Sequence, residues 1–186
     1  MKRTTWRHIA WLSEAADDPS DCLTAWARDP RAPYPLPTGR VFDAVSVDQR
    51  VGLEALGQLL DRGLPFGPTV LDRRARRMGF LLAPRSRQHF AHRLGRGGGA
   101  VPPYRYLGHG SVVVVPGPRP VLGDRYEWLG DPTRRPSAGP LLPAVLAAVL
   151  VASTEVLGCA DRYGEDPRPA PDLAPAARAG VWALAG

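Results

Sequence analysis

A chain of 186 residues, 44% of them hydrophobic, is long enough to bury a substantial core as one domain, and its 21 prolines and 20 glycines require many turns. Two widely spaced cysteines, Cys22 and Cys159, exclude a disulfide framework or a zinc cluster and suit free thiols in a reducing compartment. The net charge of +6 is concentrated: residues 63–130 carry eleven basic and three acidic side chains, whereas residues 1–62 carry eight and nine, and residues 131–186 five and six. Lys2 is the only lysine. Arginine forks suit phosphate oxygens, but a GC-rich genome also enriches arginine without functional cause.

Along the chain, Trp6, Ile9, Ala10 and Leu12 recur at helical spacing and predict a first helix over residues 5–16. Asp18 then offers a cap, Pro19 fits a first helical turn and Asp21 complements the positive helix end, so a second helix starts here and stops before Pro30. Residues 30–37 read as a proline-laden connector. Residues 40–47 alternate as a strand, after which Asp48 caps a helix bearing Val51, Leu53, Leu56, Leu59 and Leu60 and closed by Gly63.

Residues 69–71 and 78–83 are strand candidates joined by a basic turn, residues 88–94 a short helix, and residues 95–99 a flexible glycine loop. Residues 112–115 read as a buried strand, paired across a Pro/Gly hairpin with residues 126–129. An apolar helix over residues 143–157 closes the domain; its uninterrupted apolar run, 141–151, is short of the ~20 residues of a membrane span and suits a buried helix. The expected architecture is α+β: a central, mostly antiparallel sheet flanked by helices over residues 1–160, followed by a Pro/Ala-rich tail, 161–186, expected to be disordered. With no apolar signal-peptide core, the expected location is cytoplasmic, with no membrane partner.

Familiar catalytic motifs are absent. No serine sits in a Gly-x-Ser-x-Gly elbow, and the four histidines form no zinc spacing with either cysteine. His89 and His92, at i, i+3, read as a polar helix face, and His109 as an exposed residue of the Gly108-His-Gly110 turn. The Gly95-Arg-Gly-Gly-Gly99 run lacks the Gly-Lys-Ser/Thr of a phosphate loop. Between Asp72 and Arg96 there are eight arginines and one acid, a stripe that matches a nucleic-acid backbone. Phe90, Tyr104 and Tyr106 are candidates to stack on bases or to fill the core, and Arg125 and Glu127, two apart on a strand, are placed to pair with each other.

Three segments in order carry a resemblance: Leu36-Pro-Thr-Gly-Arg-Val-Phe-Asp-Ala-Val-Ser-Val-Asp48; Arg76-Arg-Met-Gly-Phe-Leu-Leu-Ala-Pro84; and Tyr106-Leu-Gly-His-Gly-Ser-Val-Val-Val-Val-Pro-Gly-Pro-Arg119 with Arg125-Tyr-Glu-Trp-Leu129. They resemble the bifunctional DNA primase/polymerase N-terminal domain family of the archaeo-eukaryotic primase superfamily, and its short, arginine-rich actinobacterial members in particular. The resemblance implies a primase-polymerase fold and, in an active member, acids at strand ends holding Mg²⁺ or Mn²⁺ for nucleotidyl transfer.

Here the family's Asp-x-Asp/Glu triplet is Ser46-Val47-Asp48, its histidine falls at Met78 or Gly79, and its late acid falls near Pro103, followed by Arg105. Asp43 lies five residues before Asp48, an odd spacing that puts the two on opposite strand faces. Asp48 otherwise reads as a helix cap and Asp43 as a solvated strand residue.

The expectation is therefore a degenerate primase-polymerase domain that binds DNA or a nucleotide without catalysis and without a cofactor, with a possible protein partner in replication. Arg73, Arg74, Arg76, Arg77, Arg85, Arg87 and Arg105 are its candidate nucleic-acid contacts. An active primase/polymerase would use Asp43 and Asp48 with Mg²⁺ or Mn²⁺, and a protein-interaction module on the same fold would use neither set.

Overall fold

The computed structural model describes residues 4–96 and 98–164. Twelve elements follow in chain order: α1 (Thr4–Ser13), α2 (Pro19–Arg28), β1 (Tyr34–Pro37), β2 (Asp43–Asp48), α3 (Gln49–Asp61), β3 (Thr69–Asp72), β4 (Arg77–Leu82), α4 (Arg87–Arg96), β5 (Tyr104–Leu107), β6 (Val112–Val115), β7 (Tyr126–Trp128) and α5 (Leu141–Tyr163). The fold is α+β. Five strands form an antiparallel sheet in the order β5-β2-β4-β3-β7, and β1 and β6 form a separate two-stranded sheet. The side chain of Trp6, residue Gly97 of the expected glycine loop and residues 165–186 of the expected tail lie outside the described residues.

Strand alternation divides the core in two. Odd-numbered Val45 and Val47 of β2, Leu71 of β3 and even-numbered Met78, Phe80 and Leu82 of β4 pack beneath α3, α4 and α5. On the other face Leu81 and Val70 meet a layer made by α1, α2 and the small sheet, whose Leu12, Trp26 and Leu36 are buried together with Phe42 just before β2. Burying a Leu, Val or Phe side chain is worth roughly 1.5–3 kcal/mol, so these two clusters dominate the drive to fold.

The predicted caps form as the residue types dictate. Asp18 accepts from the amides of Ser20 and Asp21 at 2.7 and 3.3 Å, and Asp48 accepts from the Arg50 amide at 2.8 Å. Gly63 closes α3 at φ 58°. The apolar helix is longer than predicted, running to Tyr163 with Gly164 in a left-handed C-cap. It is long and apolar enough to cross a membrane, yet half of that apolar stretch is buried against the domain.

Four expectations are corrected. The connector over residues 30–37 contains β1. Its prolines, 35 and 37, are tolerated because the N–H groups at the even positions face β6, leaving the proline positions on the free edge; the Thr38 amide continues that pattern to the Ser111 carbonyl at 2.9 Å. Residues 112–115 form a strand that is only part-buried, with Val112 56% exposed, because it belongs to this small outer sheet. Residues 126–128 do not pair with it; β7 joins the edge of the main sheet beside β3, with Asp72 opposite Tyr126. The glycine loop begins late, since Gly95 and Arg96 still belong to α4. The strand β5 was not predicted at all: Tyr-Arg-Tyr-Leu is short, and its proline and glycine neighbours read as a turn.

The Pro37-Thr38-Gly39-Arg40 segment ties three elements together. Thr38 Oγ1 donates to the carbonyls of Gly108 and Ser111 at 2.6 and 3.2 Å, and Arg40 reaches the carbonyls of residues 14, 15 and 16 just beyond α1 at 3.0, 3.2 and 2.8 Å. Gly39, at φ 98°, abuts His109: a Cβ there would sit 2.5 Å from the His109 backbone. Replacing Gly39 by Ala is expected to cost about 2 kcal/mol or more from backbone strain and that collision, whereas Asp48→Ala, which removes only a cap, costs about 1 kcal/mol. Urea unfolding of both variants checks the order.

Candidate nucleic-acid interface

The register of β2 decides which side chains meet. Ser46 lies opposite Gly79 of β4 on one side and Arg105 of β5 on the other, and Asp48 lies opposite Arg77. Arg77 in turn faces Asp72 of β3. Directly paired residues share a face, so Ser46, Asp48, Arg77, Gly79, Asp72 and Arg105 all stand on the side of the sheet that carries α1, α2 and the small sheet further along. That layer stops short of them. Ser46 and Gly79 are only half-buried, Arg105 and Asp48 are exposed, and a Cβ at Gly79 would find nothing within 4 Å.

The charges on this open face are unequally matched. Asp72 is held by Arg125 at 3.0 and 2.9 Å and by the amides of Arg74 and Ala75 at 3.1 and 3.0 Å. Partial burial works against its charge, but the Arg125 guanidinium and the two amides outweigh it and hold the carboxyl below its usual range. Arg73 pairs with Glu127, so Arg125 and Glu127 do not pair with each other as expected: Arg125 leans toward Asp72 and over the Tyr126 ring, 4.7 Å from its centroid. Arg77 turns inward, donating from Nε to Ser46 Oγ at 3.2 Å and from Nη2 to the Ser46 carbonyl at 2.8 Å. Arg74, Arg76 and Arg105 have no carboxylate partner among the described residues.

The arginine stripe therefore splits. Arg73, Arg74, Arg76 and Arg77 cluster at the β3–β4 turn, where Arg76 takes φ 52°, and Arg105 joins them across β2. Arg85 and Arg87 lie beyond the other end of β4, in a second place. There they line a cleft of about 480 Å³ with Asp43, Tyr106 and His109, walled by Gly39 and Gly108. Asp43 is not the solvated residue that alternation suggested. It is 3% exposed and accepts a 2.7 Å hydrogen bond from the Tyr106 hydroxyl, because it points to the face covered by α3, α4 and α5.

Burial and the Asp43 carboxylate push the Tyr106 hydroxyl far up, so it remains a donor. Arg87 stacks 4.8 Å above the Tyr106 ring and donates to its carbonyl at 3.3 Å. Phe90 is core: it is 1% exposed and packs edge-on to Tyr104 at 5.4 Å and tilted to Tyr106 at 5.9 Å.

Asp43 and Asp48 consequently do not converge. They occupy opposite faces and opposite ends of β2, roughly 17 Å apart along the strand. Asp48 and Asp72 share a face but sit two strands apart, about 10 Å at the backbone, with Arg77 between them.

Residues 4–143, well over half of the chain, match the sequence family described as "Bifunctional DNA primase/polymerase, N-terminal" (Prim-Pol). The chain belongs to that family. No curated protein and no solved structure matches it.

The family's chemistry calls for a divalent metal, and the residues on the open face of this Prim-Pol domain do not fit one. A Mg²⁺ or Mn²⁺ site is built from several oxygen ligands, carboxylates foremost. Here Ser46 and Asp48 offer one hydroxyl and one carboxylate, Gly79 beside Ser46 offers no side chain, and Arg105 supplies a cation on the other side. Asp48 already caps α3, and among the described residues no group of three or more His, Cys, Asp or Glu side chains is placed to hold a metal. His89 and His92 are exposed on α4.

Sequence reasoning missed Arg125, treated as a partner of Glu127, and the joint role of Tyr106 and His109 beside Asp43. One signal was available: Tyr106 sits on a four-residue Tyr-Arg-Tyr-Leu alternation; the contact of the Gly39 and His109 turns is visible only in the fold. Because Gly79 faces open space within a strand, Gly79→Ala is expected to raise stability by about 0.5–1 kcal/mol by restricting the unfolded chain. A fall in the thermal midpoint would show that this position is not open.

Proposed function

We propose that this Prim-Pol domain binds nucleic-acid backbone through the open face of its sheet and does not carry out metal-dependent nucleotidyl transfer. The observation that carries the reading is the row across the sheet in which Arg105, Ser46 and Gly79 stand side by side. An active site needs negative side chains there to collect cations; this row presents a guanidinium, a hydroxyl already engaged by Arg77, and an empty position. The ligand such a surface favours is itself an anion. Guanidiniums at Arg74, Arg76 and Arg105, with no carboxylate partner among the described residues, take phosphate oxygens directly and release the condensed counterions.

No base-edge readout is implied by this geometry: the aromatic candidate Phe90 is core, and Tyr104, 37% exposed, packs on Phe90 on the face of β5 opposite Arg105. Binding should therefore be weakly sequence-dependent and strongly salt-dependent.

Fluorescence anisotropy with single- and double-stranded oligonucleotides, in buffer containing EDTA, tests the reading. Binding should persist without divalent ions and weaken steeply with salt, and Arg74→Ala combined with Arg105→Ala should weaken it across sequences and flatten the salt slope by about two phosphate contacts. Primer extension with Mg²⁺ or Mn²⁺ should give no incorporation. Template-dependent synthesis abolished by Asp48→Ala would establish an active enzyme instead, and no binding at low salt would leave a protein-interaction role.

A further inference from the structure

The chain between β6 and β7 carries two exposed aliphatic side chains on a turn pinned from several sides. Val121 is 47% exposed and Leu122 70%, in the run Pro120-Val-Leu-Gly-Asp124. Asp124 closes the turn: its amide donates to the Val121 carbonyl at 3.1 Å, and its Oδ2 accepts from the Val121 amide at 2.8 Å. Gly123, at φ 93°, supplies the left-handed third position that a type II turn requires. Arg31, in the connector after α2, clamps the Asp124 carboxylate with Nη2 at 2.5 Å and Nε at 3.4 Å. None of these contacts uses the Leu122 side chain. Turn positions are ordinarily filled by Gly, Pro, Asn, Asp or Ser, and here Gly123 and Asp124 already meet the geometric demand. The turn itself gives no reason for a leucine at its tip.

The turn lies beside the arginines of the open face. The Arg73 amide donates to the Arg125 carbonyl at 2.9 Å, and Arg125, the residue after Asp124, holds Asp72 through its side chain. With Asp72 opposite Tyr126, β7 enters the sheet at the end where the β3–β4 turn carries Arg74 and Arg76. An aliphatic tip next to cations suits a nucleic acid whose base stack is interrupted: the guanidiniums take phosphates, and the tip covers the face of a base pair.

We propose that the Leu122 turn is a wedge that packs on the exposed base-pair face where a duplex opens into a single strand, with Arg74 and Arg76 on the adjoining backbone. The proposal rests on the open-face reading and adds to it the form of nucleic acid that the face prefers. A continuous duplex must be unstacked before the side chains can enter, and two aliphatic groups offset only part of that cost; a junction presents a base-pair face already open. A single strand presents no fixed face, and its bases must be ordered on binding. The wedge therefore reads structure and not sequence.

Fluorescence anisotropy in EDTA at one salt concentration tests this with three ligands: a single strand, a duplex closed by a loop at both ends, and the same duplex with one end opening into a single-stranded tail. The wild type should bind the tailed duplex about fivefold or more tightly than either of the others. Leu122→Ser should unfold in urea as the wild type does, keep its affinity for the closed duplex and lose the preference for the tail, whereas Leu122→Met should retain it. A 2-aminopurine in the last base pair should change its fluorescence on binding the wild type and not on binding Leu122→Ser. Arg74→Ala combined with Arg105→Ala should weaken all three ligands without changing their order. Equal binding of tailed and closed duplexes, or a preference that Leu122→Ser leaves intact, overturns the wedge and leaves the open-face reading standing. Binding of none of the three overturns both.

Discussion

The pleat of β2 is the constraint on which the rest of the molecule depends. Six residues, Asp43 to Asp48, lie between β4 and β5, and their alternation sends Val45 and Val47 into one core while Ala44 and Ser46 face the other side. A shift of one residue would exchange these faces, exposing the valines and burying the Arg105–Ser46 row. The same alternation keeps Asp43 and Asp48 from acting together. Two acids on one strand look like a pair in sequence; at an odd separation they are assigned to different layers, and here each has its own task. Asp48 begins a helix and Asp43 receives a tyrosine.

Electrostatics then distinguishes arginines that close the structure from those that remain available. Arg125 and Arg73 are matched by Asp72 and Glu127, and pairs of this kind, with the arginines more than two-fifths exposed, add little stability but fix the β3–β7 edge in place. Arg77 serves Ser46, and Arg40 serves the carbonyls after α1. Once Arg73, Arg77 and Arg125 are set aside, the arginines of the middle third fall at the β3–β4 turn with Arg105, beside the cleft with Arg85 and Arg87, and in the last turn of α4 with Arg93 and Arg96, Arg119 standing apart.

Much of the fold was legible because it follows from local rules: Asp18, Asp48 and Gly63 mark helix ends whatever the tertiary context, and the valines and leucines of β2 and α3 show their period directly. Pairing was not legible in the same way. The run 112–115 looks like a central strand by composition, but whether Tyr126–Trp128 joins it or crosses to β3 is decided by long-range register that a proline-rich connection does not encode locally. For the candidate site, Ser46 in the acidic triplet, Met78 or Gly79 at the histidine and Pro103, followed by Arg105, near the late acid could be read in sequence one at a time. That Ser46, Gly79 and Arg105 form one row across three strands, and that Arg85 and Arg87 leave the stripe to join Asp43, follows only from the strand order.

That row also explains why the changes belong together. A carboxylate cluster without its metal repels itself, and a guanidinium beside an intact metal site competes for the same carboxylates. With Arg105 on one side of Ser46 and Arg77 bonded to it from the other, an acid restored at position 46 alone would find two cationic partners within its own row before it could offer a ligand to a metal ion. Asp48 already gives one carboxylate oxygen to the start of α3. The row therefore carries positive rather than negative side-chain charge, and on the proposed reading it meets phosphates with that charge directly instead of through a metal ion.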